Sequence, residues 1–461
     1  MTVDLLVYFI LSVFSLLVGA FYFKNKIKSI SIFLFLALLL PTSNQHMFLT
    51  SYQGVYFYDY YFLVLTIYYI ININLSKLKN SVLDNKIILL ATSSLLVYYV
   101  YLVSLNAIPF DKYLLRDFRP LLCLFSAFIF IELLKNIKIK LNLIFDILFY
   151  AFILKLLFFI LLFLTNPFED PYYQVHLFRY RDGTTFVAAL FLIIFLFKKQ
   201  EILLKVSKVK LNIIVLLSML ILLISNLRIL LPALLFVYFI VHKTNFNNLF
   251  RKIMLTVILI STFIGYTYVM PIIQYNLHEK QQTILRIKNL EDQKVSKVRI
   301  DKEKSRLSKG SANKRYNSLF KGIIKSSSER FSPAMPNIKS MTNLEIFLGQ
   351  GFATTFEIPW FKYRGLDPQH NQIDSTYITF FVKYGVAGLI LILILFFNII
   401  CANIHDKELK FSIISFYLIL FLVISTLYQP GAIIHLVFIN IIMSSIYYKD
   451  VKVSNVNSFR V

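Results

Sequence analysis

The most constraining feature of this sequence is a series of long apolar runs, such as Leu141–Thr165 and 375–400. A helix needs roughly 20 apolar residues to cross about 30 Å of hydrocarbon. Within that layer the backbone N–H and C=O groups must bond inside the helix, because no water is present to satisfy them. The runs therefore predict an all-α, polytopic integral membrane protein.

The composition supports this prediction. The 461-residue chain is 58% hydrophobic and only 16% charged, with a mean hydropathy of +0.68, whereas soluble domains are about 45–50% apolar. Cys123 and Cys401 lie in or beside apolar segments, so they form neither a disulfide framework nor a zinc pattern. We expect no metal and no cofactor. The first run has no small-residue cleavage site after it, which predicts a retained span.

We predict 12 to 13 transmembrane helices, because the pair meeting at 226–228 has hardly any loop between its members. The thirteen candidate spans have the approximate limits 4–23, 29–42, 55–75, 86–106, 120–134, 141–165, 184–197, 211–226, 228–242, 253–271, 375–400, 411–427 and 431–448.

One long polar segment divides the chain. The predicted organisation is an N-terminal helix bundle at 1–270, a large extracytoplasmic loop at 271–374, and C-terminal helices with a cytoplasmic tail at 375–461. We expect the first half of the loop to be a solvated helix or a mobile arm. The second half, from Tyr316, carries aromatic residues and prolines, and we expect it to pack onto the bundle.

The distribution of positive charge predicts the orientation. One alternate set of short loops, including "KNKIK", "KNIKIK" and the C-terminal tail, holds 22 Lys and Arg residues, and the opposite short loops hold 6. Positive loops stay in the cytoplasm, and long loops translocate largely regardless of charge. The long polar segment is therefore predicted outside. The net charge of +24 reflects this asymmetry and does not indicate nucleic acid.

Several ionisable residues fall within or beside the predicted spans, where charge is costly and marks candidate function. Lys155 and Asp146 are nine residues apart, which places them on opposite faces of one helix. Each therefore needs a partner on another helix, in a structural or a functional role. Asp59 and Glu132 lie near the ends of their spans, and we expect interfacial partners for them.

Four arginines are candidates for binding an anion on the outer side. Arg228 in "SNLRILLPALL" is either a cation that snorkels to the interface or an anion-binding group. Arg179 and Arg181 in "HLFRYRDGTT" form either a solvated cluster or part of a binding site, and Arg330 follows a serine run. Arginine suits phosphate because its fork-shaped guanidinium stays charged and bonds two oxygens at once.

His370 stands where "DPQHNQIDS" leads into an apolar run. Histidine titrates near neutral pH and can accept a proton from a hydroxyl group. Asn371 or Asp374 could cap the start of the following helix. A potential base that shares one predicted face with several arginines suits a lipid-phosphate donor attacked by a hydroxyl acceptor.

The chain resembles the O-antigen polymerase and O-antigen ligase superfamily of bacterial membrane glycosyltransferases. The resemblance covers the overall plan and is sharpest from Arg330 to Gly388. There "ERFSPAMPNI…EIFLGQGF" is similar to the arginine, apolar helix and "lfGxGf" of the family. "PQHNQIDSTYITFFVKYGVAG" is similar to its "HN…G…G" entry into the next span. Upstream, "SNLRILLPALL" is similar to the segment in which an arginine opens a helix.

The resemblance implies transfer of a glycan from an undecaprenyl diphosphate carrier at the outer face of the bacterial inner membrane, without a required metal. Carried over to this sequence, Arg228 and Arg330 would bind diphosphate and His370 would be the base or would position the acceptor. Arg179, Arg181 and Asn371 would contribute to substrate binding. The expected partners are the lipid-linked oligosaccharide, membrane lipid and, as an open point, a chain-length regulator protein.

Polymerisation of surface polysaccharide repeat units is the favoured function, and ligation to the lipid A core is the alternative of like chemistry. A transporter of lipid-linked sugars would instead predict two related halves with a broken helix in each, and we find no such symmetry. A membrane-anchored sensor would require a folded soluble domain, for which the first half of the long loop is too polar.

Overall fold

The computed structural model describes most of the chain. The described residues are 3–40, 51–52, 55–72, 97, 100, 112–135, 137–166, 180, 182–227, 229–241, 246–279, 331–358, 368–428 and 431–447. The predicted span at 86–106 lies outside these residues, apart from two isolated positions. The first half of the predicted loop also lies outside them, from residue 280 onwards.

The described residues form fourteen α-helices, which are numbered in chain order. They are α1 Val3–Phe21, α2 Lys26–Leu39, α3 Phe57–Asn72, α4 Lys112–Leu134, α5 Leu141–Thr165, α6 Gly183–Leu203, α7 Lys208–Ser225, α8 Leu230–Val241, α9 Phe246–Gln274, α10 Met335–Ser340, α11 Asn343–Leu348, α12 Thr376–Ile400, α13 Lys407–Val423 and α14 Ala432–Tyr447.

Four two-residue strands form two antiparallel pairs within the described residues. β1 (Ser51–Tyr52) pairs with β2 (Val55–Tyr56), and β3 (Phe356–Glu357) pairs with β4 (Gln369–His370). The prediction of a mostly helical fold is confirmed.

The predicted helix limits agree with the structure where polar residues directly border an apolar run. α5 has the predicted limits, and α7 and α8 are two separate helices because Asn226 ends α7 with φ 48. Asparagine tolerates this left-handed conformation better than most residues. α4 begins eight residues before the predicted 120, since the charged stretch "KYLLRDFR" is helical.

The contacts between the described helices define two ends of the bundle. α6 and α14 run parallel: the rings of Phe186 and His435 lie 5.4 Å apart near their starts, and Lys205 Nζ donates to the carbonyls of Ser445 and Ile446 at their ends. We call the end where α4, α6, α12 and α14 begin the His370 end. The opposite end, where these helices finish, is the lysine end.

α14 lies at the centre of the hydrophobic core. Thirteen of its residues from Ala432 to Ser445 are buried, and it packs against α4 and α6. A helix that is apolar on every side belongs in a core or a membrane. One large cluster of buried side chains runs through α14 and its neighbours, and it gives the His370 end a rigid base.

Among the described helices, three (α5, α7 and α12) are long and apolar enough to cross a membrane. Their outward faces are also apolar: Leu161 and Leu164 on α5 and Leu216 on α7 are each more than half exposed. Extended apolar surface of this kind needs an apolar partner.

Candidate functional site

Two of the six sequence-predicted site residues, His370 and Asn371, lie in the described structure, at the His370 end. Arg179, Arg181, Arg228 and Arg330 lie outside the described residues. The predicted shared cavity for Arg228, Arg330 and His370 therefore stays a prediction.

His370 is held in a fixed turn just before α12. Its backbone pairs with Phe356 in the β3–β4 ladder, and its ring Nδ1 lies 3.0 Å from the carbonyl oxygen of Gln372. Since a carbonyl oxygen only accepts, Nδ1 donates this bond and Nε2 is the basic nitrogen. The turn thus fixes both the tautomer and the direction of the ring.

The surroundings of His370 favour its neutral form. Its side chain is half-buried, and this burial is the largest cause of a pKa lowered from its usual value. The positive charges of Arg116 and Lys383 lower the pKa further, while the Gln372 carbonyl and Asp374 oppose the shift. A general base must be unprotonated to act, so these surroundings keep His370 in the required state at neutral pH.

Asn371 connects this turn to a buried carboxylate on α4. Its side-chain amide lies 3.4 Å from Oδ1 of Asp117, which is fully buried. Asp117 also accepts from the backbone N–H of Ala353 at 2.8 Å and from the hydroxyl of Tyr428 at 3.2 Å. One carboxylate therefore joins four segments that are far apart in sequence.

Lys383 on α12 supplies the countercharge. Its Nζ lies 2.5 Å from Oδ2 of Asp117 and 2.6 Å from the carbonyl oxygen of Thr354, and both charged side chains have no exposure. A buried charge is tolerated only when it is paired and hydrogen-bonded. Tyr384 completes the cluster by donating to the backbone carbonyl of Asp117 at 3.1 Å. We call Asp117, Asn371, Lys383, Tyr384 and Tyr428 the Asp117 network.

Gly349 in "FLGQGF" and Gly385 in "VKYGVAG" lie in close backbone contact next to the Asp117 network. We call this contact the glycine interlock. α12 breaks at Gly385, which has φ 65, and Gly349 has φ 85. The carbonyls of Val382 and Lys383 accept from the N–H groups of Gln350 and Gly351 at 2.8 and 2.9 Å.

Neither glycine of the interlock can be replaced without displacing backbone. A Cβ on Gly349 would overlap the carbonyl of Lys383, and a Cβ on Gly385 would overlap that of Phe347. Only glycine combines positive φ at low cost with so close an approach. The two motifs noted in the sequence are therefore two sides of a single contact.

One local prediction at this site is wrong. Neither Asn371 nor Asp374 caps α12: Ser375 is the N-cap, and its hydroxyl accepts from the N–H of Ile378. The reason is that Asn371 is engaged by Asp117 and that α12 starts at Thr376. A serine directly before the first helical residue is a preferred cap.

The other charged residues have the partners that the sequence required. Lys155 pairs with Asp182 at 2.5 Å, both nearly inaccessible, and Asp146 pairs with Lys210 on α7. The prediction that Lys155 and Asp146 bind partners on other elements is confirmed. Asp182 is also the N-cap of α6, which gives this pair a structural role.

Asp59 and Glu132 also have partners. Asp59 accepts from Arg119 at 3.1 Å, and Glu132 accepts from Lys135 at 2.6 Å.

Sequence reasoning missed Asp117 and Lys383, although one signal was available. Lys383 lies in "ITFFVKYGVAGLI", inside an apolar run, and a lysine there requires an acidic partner. Asp117 gave no such signal, because the flanking arginines in "LLRDFRP" look like an ordinary charged loop.

The site can do acid–base chemistry at a fixed point on the bundle. It contains the neutral imidazole of His370, the cation of Arg116 and the buried Asp117 network that supports them. No group of three or more His, Cys, Asp or Glu side chains suited to a metal occurs among the residues that the structure describes.

Comparison with known proteins adds one finding. Residues 309–458 are similar to a family of unknown function, DUF6369. This match covers about a third of the chain and includes His370, Lys383 and both interlocking glycines, but not Asp117 on α4. No curated protein and no solved structure matches the chain.

Proposed function

We propose that the protein is a polytopic membrane glycosyltransferase of the bacterial inner membrane, with His370 in an active site that faces outwards. The membrane assignment draws on three spanning-length helices and on the exposed apolar faces of α5 and α7. The shorter apolar helices of the same bundle are read as further spans.

The orientation draws on the lysine end of the bundle. Lys135, Lys198, Lys205 and Lys210 all lie there, next to Asp406 and the end of α14. Cytoplasmic ends carry the excess of Lys and Arg. The His370 end then faces the periplasm or the cell exterior, where lipid-linked repeat units are joined.

The proposed reaction joins undecaprenyl-diphosphate-linked repeat units into a surface polysaccharide. A hydroxyl oxygen of the acceptor attacks the anomeric carbon of the donor glycan, and Nε2 of His370 takes the hydroxyl proton. The bond from that carbon to the diphosphate oxygen breaks, and undecaprenyl diphosphate leaves with the bonding electrons. The reaction needs no oxidant and no further co-reactant.

The observation that carries this proposal is the state of His370. A histidine that is kept neutral, fixed in one tautomer and flanked by a cation suits a base next to an anionic leaving group. His435 provides the contrast. It is fully buried in the core, with Nδ1 2.7 Å from the Tyr417 hydroxyl, where no substrate can reach it.

Two other functions are alternatives for the same site. A ligase would transfer the glycan to the lipid A core by the same chemistry. A transporter is favoured by one observation, the break of α12 at Gly385, because broken helices are typical of transport sites. Here, however, backbone contacts from Gln350 and Gly351 close the break, which favours a static support over a moving gate.

A gene deletion distinguishes the three functions on a polysaccharide gel. Loss of the ladder with one repeat unit retained on the core indicates a polymerase. Loss of every repeat unit from the core indicates a ligase. A transporter defect also removes all repeat units, but lipid-linked units then accumulate on the cytoplasmic side. An unchanged gel would contradict all three functions.

The direct test of the mechanism is His370→Gln in the purified, lipid-reconstituted protein. Glutamine can keep a hydrogen bond to the Gln372 carbonyl but cannot accept a proton. General-base catalysis contributes on the order of 10²–10⁴-fold, so we expect the polymerisation rate to fall by that factor with unchanged thermal stability. The control is His405→Gln, at the lysine end before α13. A His370→Gln rate close to wild type would contradict the base assignment.

A further inference from the structure

Two arginines stand three positions apart on α4, in "RDFRP", and only one of them is used by the fold. Nη1 of Arg119 lies 3.1 Å from Asp59, Nη2 lies 3.1 Å from the Tyr58 hydroxyl, and the guanidinium stacks 3.9 Å above the ring of Tyr56. These contacts bind α4 to the start of α3. Arg119 is therefore a structural residue.

Arg116 has no such network. Within the described part of the chain, no carboxylate forms an ion pair with it and no hydrogen bond engages its side chain, although it is half-buried. An unpaired cation held partly out of water is costly. A charge kept in this state is suited to an anionic ligand that would complete the pairing.

The position of Arg116 places it at the candidate site. It directly precedes Asp117 on α4, and His370 directly precedes Asn371 in the turn. The contact between Asp117 and Asn371 therefore brings the two preceding residues to the same part of the His370 end. Consistent with this, the charge of Arg116 is close enough to lower the pKa of His370.

The neighbouring charges leave Arg116 available for an anion. Lys383, the other cation that influences His370, is already neutralised by Asp117 at 2.5 Å. Asp374, the carboxylate whose charge raises the pKa of His370, is exposed, so water and salt screen its charge.

We propose that Arg116 is a phosphate-binding residue of the His370 site and that its ligand is the diphosphate of the lipid-linked donor. This inference rests on the proposed function, and it adds a residue that the resemblance does not supply. The guanidinium offers a planar fork to two phosphate oxygens and would remain paired with the leaving diphosphate after the glycosidic bond forms. Arg116 thereby supplies positive charge from α4, in addition to Arg228 and Arg330, to which the resemblance assigns the diphosphate.

The test measures binding of undecaprenyl diphosphate to the full-length protein in phosphatidylcholine nanodiscs. Hydrogen bonds to charged groups are strong, and losing one raises a dissociation constant by about 10- to 100-fold. We expect this increase for Arg116→Gln, with an unchanged melting temperature. Arg116→Lys should recover part of the affinity, because it restores the charge but not the fork.

The matched control is Arg119→Gln. It should lower the melting temperature through loss of its contacts with Asp59 and Tyr58, while the protein that stays folded binds normally. Competition identifies the source of the phosphate. Inorganic diphosphate should displace the lipid, and vesicles of phosphatidylglycerol should not, because a phosphodiester lacks the second phosphate.

A second readout separates binding from a purely structural role. Removing the positive charge of Arg116 should move the acid limb of the pH–rate profile to higher pH, since His370 is then protonated more easily, while Asp374 and Lys383 remain unchanged. Equal affinity of Arg116→Gln and wild type for undecaprenyl diphosphate would overturn the Arg116 assignment alone. A wild-type protein that does not bind this lipid would overturn the proposed function as well.

Discussion

The two ends of the bundle contain ion pairs that differ in burial. At the His370 end, Asp117 and Lys383 are paired with no exposure at all. At the lysine end, the pairs are partly exposed: the side chain of Lys135 is 55% exposed beside Glu132, and Asp146 is 49% exposed beside Lys210. The same residue types therefore serve two different purposes.

The physical difference is the cost of removing charge from water. An exposed ion pair contributes about 0–1 kcal/mol and tolerates small changes in geometry. A buried pair loses hydration on both sides and is stable only when each hydrogen-bonding position is satisfied. The Asp117 network meets this demand with an amide, a backbone N–H and a hydroxyl. The His370 end is therefore fixed in shape, while the lysine end mainly supplies charge.

The largest expected effect comes from breaking the buried pair. Asp117→Ala leaves the ammonium of Lys383 uncompensated in the interior, and removal of one partner of a buried pair costs about 3–5 kcal/mol. We expect a large fall in the melting temperature of the detergent-solubilised protein, with loss of activity.

A double variant separates the charge from the packing. In Asp117→Asn combined with Lys383→Met, neither of these two positions carries a buried charge, so much of the stability should return. Activity should stay low, because Met cannot donate to the Thr354 carbonyl. An asparagine at 117 also offers one carbonyl oxygen in place of the two carboxylate oxygens that accept from Ala353 and Asn371. A double variant as unstable as Asp117→Ala would mean that the pairing of charge is not what stabilises this end.

The next largest effect concerns the glycine interlock. Gly385→Ala puts a Cβ where the Phe347 carbonyl lies and forces alanine into positive φ. Backbone strain of this type costs about 1–3 kcal/mol, to which the steric overlap adds. We expect a lower melting temperature and faster proteolysis of the 331–358 segment.

Gly265→Ala on α9 is the matched control, because an added Cβ there meets nothing within 4 Å. It should leave the melting temperature unchanged or slightly raised, since alanine favours helix. Equal effects of the two glycine substitutions would contradict the role of the interlock.

The smallest effect is expected at the lysine end. Lys135→Ala removes an exposed pair with Glu132 three residues earlier in the chain, which contributes at most about 1 kcal/mol and less at high salt. Thermal unfolding should scarcely change. A loss as large as that of Asp117→Ala would remove the distinction between the two ends.

The helices were predictable because they follow from hydropathy alone. α5 is a continuous apolar run with charged residues before it, so both limits could be located. α4 was predicted too short, because the low hydropathy of "KYLLRDFR" predicts a solvent-exposed segment outside the span. In the structure, Asp117 and Arg119 instead have partners on α3, on α12 and in the segment at 353. Tertiary pairing outweighed the local pattern there.

The site was predictable only in part, for the same reason. His370 and Asn371 were found because a histidine at the entry to an apolar run is unusual. The contact of Asn371 with Asp117 joins residues 254 positions apart, and nothing local in the sequence encodes such a pairing. Lys383 could have indicated that an acidic partner was missing, but not which one.

The break of α12 at Gly385 has a consequence for biosynthesis. A helix whose backbone hydrogen bonds are interrupted carries unsatisfied carbonyl groups into the lipid, and each such group costs several kcal/mol in hydrocarbon. The segment that satisfies the carbonyls of Val382 and Lys383 is the backbone at Gln350 and Gly351. Because this segment precedes α12, the ribosome has already delivered it when the helix emerges. In the proposed membrane topology, the order of synthesis thus allows α12 to enter the bilayer together with its partner, without waiting for any later part of the chain.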